Sequence, residues 1–323
     1  MYLAPDGDEI QIADAAAKFL ADAMPISRLH RPDGADLNPA LRQQIAEMGW
    51  FAIAVPEDSG GSALSAVKQA LIFREAGRQC APVDLLSQCL AASLVSEASL
   101  RRSIVSGDAA ITLVVADGPQ WRLVGAADAV QGLYVTREIA RLRPLPPSNT
   151  EHCPSLDPAN SIRIASGDSD SIAEVHGERI WRLGQLWTAS MLVGIAEAAL
   201  DMIVEYAKTR ETFGRKIGTW QAVRHPCANM AVRAEAARSQ LFYAAAALEE
   251  DRKDASAHLD AAKHMANQAA YANADANIQL HGGIGVTDEH DAHLLLKHSL
   301  LLSRLFGAKR SVLTRLLKAE LVD

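Results

Sequence analysis

The stretch GQLWTASMLVGIAEAALDMIVEYAKTR, residues Gly184–Arg210, decides the fold class of this chain. Its apolar residues recur at the three- and four-residue spacing of a helix, and no proline interrupts them. The pattern predicts one long helix. Because its apolar residues cover more than one face, we expect burial against other helices or another subunit.

Three more helical stretches follow it, beginning near Trp220, Ser256 and Asp288. Their many alanines are typical of helices that pack closely, so residues 179–323 are predicted to form an antiparallel four-helix bundle. We expect Pro226 in the early part of the second helix, Thr287 as N-cap of the fourth, and Gly307 as its stop signal.

Residues 1–178 show two different sequence patterns. Residues 1–106 show helical periodicity, with Asn38 as a predicted N-cap and Pro39 at the first helical position, which indicates a small helical domain. Residues 107–178 carry short β-branched runs separated by turn residues, which predicts a small β-domain. The proline-rich stretch RPLPPSNTEHCPSLDP, Arg143–Pro158, is predicted to have no regular structure.

Composition excludes several classes of protein. Of 323 residues, 49% are hydrophobic, and the net charge of -7 with scattered Lys and Arg argues against nucleic-acid or anionic-membrane binding. The four cysteines form no CxxC pair, so reduced thiols are expected rather than a metal site or disulfide framework. No apolar run of membrane-spanning length and no secretion leader are recognised, so a cytoplasmic protein without membrane insertion is expected.

Two short stretches carry candidate chemistry: TRETFGRKIGTWQ, residues Thr209–Gln221, and QLHGGIGVTDEH, residues Gln279–His290. The glycine-rich loop suits a phosphate, a metal or a plain helix connection, and Arg210 could simply be a cation at a helix C-terminus. The nearby histidines do not predict a metal site, since only two of them share a helical face and no ligand set is complete; these are His281, His290, His293 and His298.

Together with GWFAIAVPEDSGG, residues Gly49–Gly61, these stretches resemble the acyl-CoA dehydrogenase family of flavoproteins. The first resembles the family's Arg-x-x-Phe-Gly motif followed by a glutamine, and the second its Gln-x-x-Gly-Gly loop. The resemblance implies a mainly α fold with an N-terminal helical bundle, a middle β-domain and a C-terminal four-helix bundle. It also implies FAD as cofactor and an oligomer, usually a tetramer.

The resemblance assigns the ADP half of FAD to a set of six residues: Arg210, Phe213, Gln221, Gln279, Gly282 and Gly283. The physical chemistry of the set agrees with that assignment. A guanidinium matches phosphate oxygens, glycines let the backbone approach a dinucleotide, and glutamine both donates and accepts hydrogen bonds.

The family's catalytic base is a glutamate, which removes a proton next to the thioester carbonyl. Gly307 matches the family glycine that follows this base, so Phe306 occupies the base position, and Gly184 occupies the alternative position on the first bundle helix. Shifting the alignment by one residue in either direction still places no Asp or Glu at either position. The chain is therefore predicted to contain no catalytic residue at either position.

The β-domain also lacks the family's Thr-Glu-Pro and Trp-Ile-Thr-like stretches, which lie along the flavin ring. The chain thus resembles the smaller, non-catalytic subunit of bacterial heterotetramers that act on steroid side-chain CoA thioesters, with an electron-transferring flavoprotein as expected electron acceptor. One alternative is a self-sufficient homotetrameric enzyme with an unconventional base, for which Glu178, Glu197 and Glu235 are candidates, although Glu235 is expected to pair with Arg238. Another alternative is a flavin-free structural or binding protein with the same fold.

Overall fold

The computed structural model describes residues 5–31, 34–117, 120–145, 150–166 and 169–320, except for the side chains of residues 116 and 117. Helices precede and follow a group of strands, so the predicted mainly α fold with a small β-domain is confirmed. The α-helices are α1 (Gly7–Ala23), α2 (Pro39–Glu47), α3 (Ala66–Arg78), α4 (Val83–Leu94), α5 (Ala98–Val105), α6 (Arg179–Thr209), α7 (Gln221–Glu249), α8 (Ala255–His281), α9 (Ala292–Leu302) and α10 (Lys309–Leu316). The strands are β1 (Ile111–Asp117), β2 (Gln120–Val124), β3 (Gln131–Val135), β4 (Ile139–Pro144), β5 (Thr150–Cys153), β6 (Ile162–Ala165), β7 (Ala173–His176), β8 (Glu211–Thr212) and β9 (Arg215–Lys216).

The contacts between Cα atoms divide the chain into two compact units. The first unit comprises Met1–Arg31, Ala66–Cys80 and Gln185–Asp323, and the second comprises Pro32–Ser65 and Ala81–Gly184. Thus α1 and α3 belong with the C-terminal helices, whereas α2, α4 and α5 belong with the strands β1 to β7. The predicted boundaries at residues 106 and 178 lie where the secondary structure changes type, and the three-domain division stays a prediction.

In the first unit, α6 to α9 alternate in direction. The Asn273 side chain of α8 donates to the carbonyl oxygens of Ala196 on α6 and Met230 on α7, each at 3.0 Å. Further along α8, the ring of His281 lies 4.4 Å from that of Tyr206, so α8 runs parallel to α6. The ring of Tyr243 lies 4.6 Å from that of His258, which makes α7 antiparallel to α8.

The ends of α9 differ from their prediction. Thr287 does not cap α9, because its hydroxyl donates to the carbonyl of Ile284 and closes a 3-10 helix over Gly282–Val286. The helix begins at Ala292, with Asp291 at the N-cap position. It ends five residues before Gly307, where the chain turns through positive φ angles. The other predicted helix signals are confirmed, with Asn38 capping α2 and Pro226 inside α7.

Helix α6 is the buried centre of the first unit. An 18-residue part of it has a mean hydropathy of 1.5, so by length and composition the helix could cross a membrane, contrary to the prediction that no apolar run reaches membrane-spanning length. However, 67% of that part is buried inside the protein. A Cβ atom on Gly194 would lie 1.9 Å from the carbonyl oxygen of Arg74, so the backbones of α3 and α6 touch. This packing identifies α6 as a core helix.

The second unit contains a seven-stranded sheet in the order β5-β6-β2-β1-β3-β4-β7. Among the described strands of this sheet, β1 and β3 pair in parallel and the other neighbours pair antiparallel. All residues of α4 are buried, and α4 packs against β1, β4 and β7. The prediction for the proline-rich stretch is partly wrong, because β4 extends to Pro144 and Thr150–Cys153 pairs with Ile162–Ala165 at the sheet edge. Pro144 is the last residue of β4, and Pro154 and Pro158 lie between β5 and β6, so no described proline interrupts the pairing. Residues 146–149 lie outside the described residues.

A lysine side chain is fully buried in the helical bundle. Lys263 on α8 donates from Nζ to Asn267 Oδ1 at 2.9 Å and to the carbonyl oxygen of Leu302 at 3.2 Å. Burial lowers the pKa of Lys263 to about 7, because the charged form loses its hydration. Both acceptors are neutral, so neither offsets that loss.

Replacing Lys263 by methionine is expected to stabilise the protein near pH 7. In the unfolded chain lysine keeps its proton up to the ordinary pKa near 10.5, whereas the native state loses it near pH 7, so native stability rises with pH between these values. Lys263→Met removes this dependence and, at pH 7, is expected to add about 1–4 kcal/mol to the free energy of unfolding. Urea unfolding at pH 7 and pH 9.5 measures both effects. The exposed Lys18→Met is the control, and parallel pH dependence in wild type and Lys263→Met contradicts the prediction.

Candidate functional site

A two-stranded hairpin follows α6 and carries the first predicted motif. Strands β8 and β9 pair through Glu211 with Lys216 and Thr212 with Arg215, which leaves Phe213 and Gly214 as the turn. Both turn residues have positive φ angles, of 49° and 75°, as a two-residue hairpin turn requires. Glycine adopts this conformation readily, but phenylalanine does not. The Phe213 side chain is nevertheless 94% exposed, so the hairpin presents a strained aromatic residue to its surroundings.

Arg210 lies at the base of this hairpin. Its backbone N–H donates to the carbonyl of Tyr206 at 2.8 Å, and its own carbonyl accepts from the N–H of Ile217 at 2.9 Å. The backbone of Arg210 is thereby fixed between α6 and the end of the hairpin. The residue is exposed, and its guanidinium forms no hydrogen bond or ion pair within the described part of the chain. Its donors are therefore available to an anionic ligand.

The glycine-rich loop begins where α8 ends. Gly282 has φ 68° and ψ -147°, a conformation that is essentially restricted to glycine. Gly282 and Gly283 are exposed, and beyond the adjacent backbone no described residue has an atom within 4 Å of the position that a Cβ atom would take on either one. Gln279 is also exposed, on the last turn of α8. The loop thus offers open space in which another molecule can approach the backbone closely.

The hairpin and the loop lie at the same end of the bundle, which we call the cradle end. The rings of Tyr206 and His281, whose centres are 4.4 Å apart, place the last turn of α6 beside the last turn of α8. Helix α7 starts at Gln221 and runs antiparallel to α8, so its first turn lies there as well. All six predicted cofactor residues therefore lie at the cradle end. The N-terminus of the long helix α7 adds a partial positive charge there.

The histidines near the loop pack against each other. His281 is buried and shares a hydrogen bond of 2.8 Å between its Nδ1 and the carbonyl of Asn277, and its ring lies 4.5 Å from that of His290. Burial is the main cause that lowers the pKa of His281. Within the ranges that the structure describes, no group of three or more His, Cys, Asp or Glu side chains is arranged to hold a metal ion.

The two predicted positions of the base lie at the opposite end of the bundle from the cradle end. Phe306 is buried and has a φ of 48°, and the following Gly307 has a φ of 124°. A Cβ atom on Gly307 would lie 3.2 Å from Nε2 of Gln185, the residue that follows Gly184. The residues next to the two positions are therefore neighbours in space.

A carboxylate missed by sequence reasoning lies in this region. Asp260 on α8 is 3% exposed; its Oδ2 accepts from Nε of Arg315 at 2.7 Å, and its Oδ1 accepts from Nε2 of Gln185 at 2.7 Å and from Arg315 Nη2. Asp260 thus holds Arg315 and Gln185 in place, a structural role that accounts for its burial. No sequence pattern signals the group, because its members are at least 55 residues apart.

The carboxylates proposed as unconventional bases are paired with arginines. Glu178 accepts from Arg137 at 2.6 Å. Glu197 is 14% exposed, burial raises its pKa, and guanidinium nitrogens lie 3.6 to 3.7 Å from it, on Arg74, Arg78 and Arg238. The predicted pair of Glu235 with Arg238 on the surface of α7 is confirmed. Each candidate thus has a structural role that accounts for its position.

Comparison with protein families finds two matches. Residues 6–102 match the acyl-CoA dehydrogenase N-terminal domain, and residues 182–320 match the acyl-CoA dehydrogenase C-terminal domain. The chain is 33% identical over 278 residues to acyl-CoA dehydrogenase FadE34 of Mycobacterium tuberculosis, a match that covers 79% of this chain but only 38% of FadE34. The chain therefore spans well under half the length of that relative.

A second relative matches over most of its length. Acyl-CoA dehydrogenase IpdE2 of Mycobacterium tuberculosis is 31% identical over 281 residues, which cover 84% of this chain and 83% of IpdE2. Among solved structures, the Tcur3481-Tcur3483 steroid ACAD G363A variant superposes with a TM-score of 0.79 at 23% identity, covering 96% of this chain and 97% of the other, which shows a shared fold. The order of domains, the matched motifs and the extent of these similarities show that the chain belongs to the acyl-CoA dehydrogenase family.

Proposed function

We propose that this chain is the non-catalytic subunit of an FAD-dependent acyl-CoA dehydrogenase. In this proposal it binds the ADP half of FAD at the cradle end, and a partner subunit contributes the catalytic base and the seat of the flavin ring. The assembled enzyme performs α,β-dehydrogenation of an acyl-CoA thioester. The observation that carries the proposal is the combination of an open cradle end with two base positions, Phe306 and Gly184, that contain no carboxylate.

The residues of the cradle end fit a pyrophosphate. Arg210 offers a planar set of charged donors, and the N-terminus of α7 favours negative charge. Gly282 and Gly283 leave room for the dinucleotide to lie against the backbone, and Gln279 can donate to it. The flavin, when bound, supplies the hydride acceptor of the reaction, while this chain orients its nucleotide half.

The distance between the two ends of the bundle supports a division of roles between subunits. Asp260, beside the base positions, and Gln279, at the cradle end, are 19 residues apart on α8, which corresponds to about 29 Å. A group held at the cradle end is therefore far from the base positions of the same chain. We infer that the nucleotide bound here extends into an active site of the partner subunit.

The proposed partner is a second acyl-CoA dehydrogenase subunit in a heterotetramer. The similar solved structure bears the name of two proteins, Tcur3481 and Tcur3483, and is described as a steroid ACAD, which supports both a paired assembly and a steroid-derived acyl group. Loss of one catalytic half-site would leave a larger pocket for a bulky acyl chain. We further propose that an electron-transferring flavoprotein accepts the electrons and that the complex is cytoplasmic.

Two alternatives remain distinguishable by experiment. A self-sufficient homotetramer requires a base in this chain, but the carboxylates described above are held in ion pairs. A flavin-free scaffold has no need of an exposed arginine and a glycine conformation that other residues rarely adopt. We therefore favour the FAD-binding subunit.

Replacing Arg210 by alanine is expected to reduce FAD retention by the assembled complex at least about tenfold, because a charge-assisted contact with the pyrophosphate is lost. Arg210→Lys keeps the charge without the planar fork and is expected to retain an intermediate amount. The absorbance of FAD per complex after gel filtration is the measurement. Arg304→Ala, an exposed arginine near the other end of the bundle, is the control, and equal FAD content in Arg210→Ala and wild type argues against the cradle.

The chain alone is expected to show no acyl-CoA dehydrogenase activity, and the complex is expected to keep its activity when candidate bases of this chain are neutralised. Glu178→Gln and Glu197→Gln should each leave kcat within about twofold of wild type, whereas removing a true base lowers the rate about 10²–10⁴-fold. Steady-state reduction of an artificial electron acceptor measures this, and analytical ultracentrifugation verifies that each variant assembles. A loss of about 10²-fold or more in a correctly assembled variant would support the self-sufficient enzyme instead.

A further inference from the structure

A second arginine lies on the same face of the hairpin as Arg210. The register of β8 and β9 places Thr212 opposite Arg215 and Glu211 opposite Lys216. Side chains alternate between the two faces of a strand pair, so Arg210, Thr212 and Arg215 belong to one face and Glu211 and Lys216 belong to the other. The ion pair of 2.8 Å between Lys216 Nζ and Glu211 Oε1 agrees with this assignment.

The two arginines are diagonal neighbours on this face. The N–H of Ile217 donates to the carbonyl of Arg210 at 2.9 Å, which extends the antiparallel pairing by one residue. Arg210 therefore lies two residues before the partner of Arg215, and residues in this diagonal relation are about 7–8 Å apart. Long side chains can meet across this spacing, so both guanidinium groups can contact one ligand.

Neither guanidinium is used by the protein itself. Arg215 is exposed, as Arg210 is, and within the described part of the chain neither guanidinium forms a hydrogen bond or an ion pair. Glu211, the carboxylate of the hairpin, lies on the opposite face and is paired with Lys216. Two like charges at this spacing repel each other in the free chain, and an anion bound between them removes that repulsion.

The ring of Trp220 holds the Arg215 guanidinium in position. The guanidinium carbon lies over the ring, 4.2 Å from its centre, within the range of a cation–π interaction. Stacking on a ring face leaves the N–H donors at the edge of the guanidinium free, because they lie in its plane. Trp220 is half-buried, and its carbonyl accepts from the N–H groups of Val223 and Arg224 at the start of α7. Because Arg215 is already oriented, it loses less conformational freedom when it binds an anion.

We propose that Arg215 is a second anion-binding residue of the cradle end, and that Arg210 and Arg215 together select a nucleotide with two linked phosphates. Each guanidinium binds one phosphate group through charge-assisted hydrogen bonds. The role of Arg210 rests on the proposed function, and Arg215 adds the preference for a diphosphate over a monophosphate. FAD and free ADP both contain the linked phosphates, whereas AMP has only one.

The test is isothermal titration of the purified full chain with ADP and with AMP. We expect the wild-type chain to bind ADP at least about tenfold more tightly, because the second phosphate gains a charge-assisted contact. Arg215→Gln should bring the two affinities within about threefold of each other, since that contact is lost. Trp220→Leu removes the ring under the guanidinium and should weaken ADP binding about threefold.

Arg224→Gln is the matched control. Arg224 is also an exposed arginine without a hydrogen bond or ion pair from its guanidinium in the described part of the chain. It lines a cavity together with Lys216, on the face of the hairpin opposite to Arg215. The variant removes the same charge from the same end of the bundle, so an unchanged preference for ADP is expected. Circular dichroism verifies the folding of Trp220→Leu, and the exposed Arg215→Gln carries the test if that variant does not fold.

The absorbance of FAD per assembled complex after gel filtration distinguishes the two sources of the diphosphate. A lower FAD content in Arg215→Gln than in wild type identifies the pyrophosphate of FAD as the ligand. Unchanged FAD content together with a lost preference for ADP identifies a free nucleoside diphosphate instead.

The inference is wrong if the wild-type chain binds ADP no more tightly than AMP, or binds neither at millimolar concentration. It is also wrong if Arg215→Gln keeps the wild-type preference for ADP. In these cases Arg210→Ala shows whether the proposed function fails as well. Loss of FAD from the Arg210→Ala complex leaves the cradle in place and overturns only the role of Arg215, whereas wild-type FAD content in that variant argues against the cradle itself.

Discussion

The side chain of Asn273 fixes the register on which the functional layout depends. It is fully buried, donates to backbone carbonyls of α6 and α7, and accepts from Nε of Arg233 at 2.9 Å. A buried amide is stable only when its polar atoms are satisfied, so α6, α7 and α8 cannot slide past each other without a large free-energy cost. This one residue thereby aligns the ends of three helices. The hairpin after α6 and the loop after α8 meet at the cradle end as a consequence.

The same register gives the bundle two chemically different ends. The cradle end is exposed and contains backbone conformations that cost free energy, at Phe213 and Gly282. The other end is closed by the ion pair of Asp260 with Arg315. Both ends contain a phenylalanine with a positive φ angle, Phe213 and Phe306, but Phe213 is exposed where a ligand or partner is proposed, whereas Phe306 is buried where the family's base would lie. This contrast is what we expect of a subunit that has kept a binding role and lost a catalytic one.

Several features were predictable because they depend on local chemistry. Helical periodicity predicts α6 to α8, and Asn38 and Pro39 predict the start of α2. The Phe-Gly pair and the Gly-Gly pair predict the two turns of the candidate site. The prediction that Thr287 caps α9 is wrong because a threonine hydroxyl can donate to the preceding turn as well as accept from the first turn of the next helix. The strand β5 was missed because four residues between prolines form a strand only when an edge partner, β6, is present.

The sequence by itself determined the family, the mainly α architecture and the absence of a carboxylate at positions 184 and 306, because these follow from residue identity and short-range pattern. Only the tertiary structure decided that α1 and α3 join the C-terminal bundle and that Gln185 and Arg315 converge on Asp260. Those arrangements join residues that are distant along the chain. Helix packing and strand register bring them together, and neither is encoded in any short stretch of sequence.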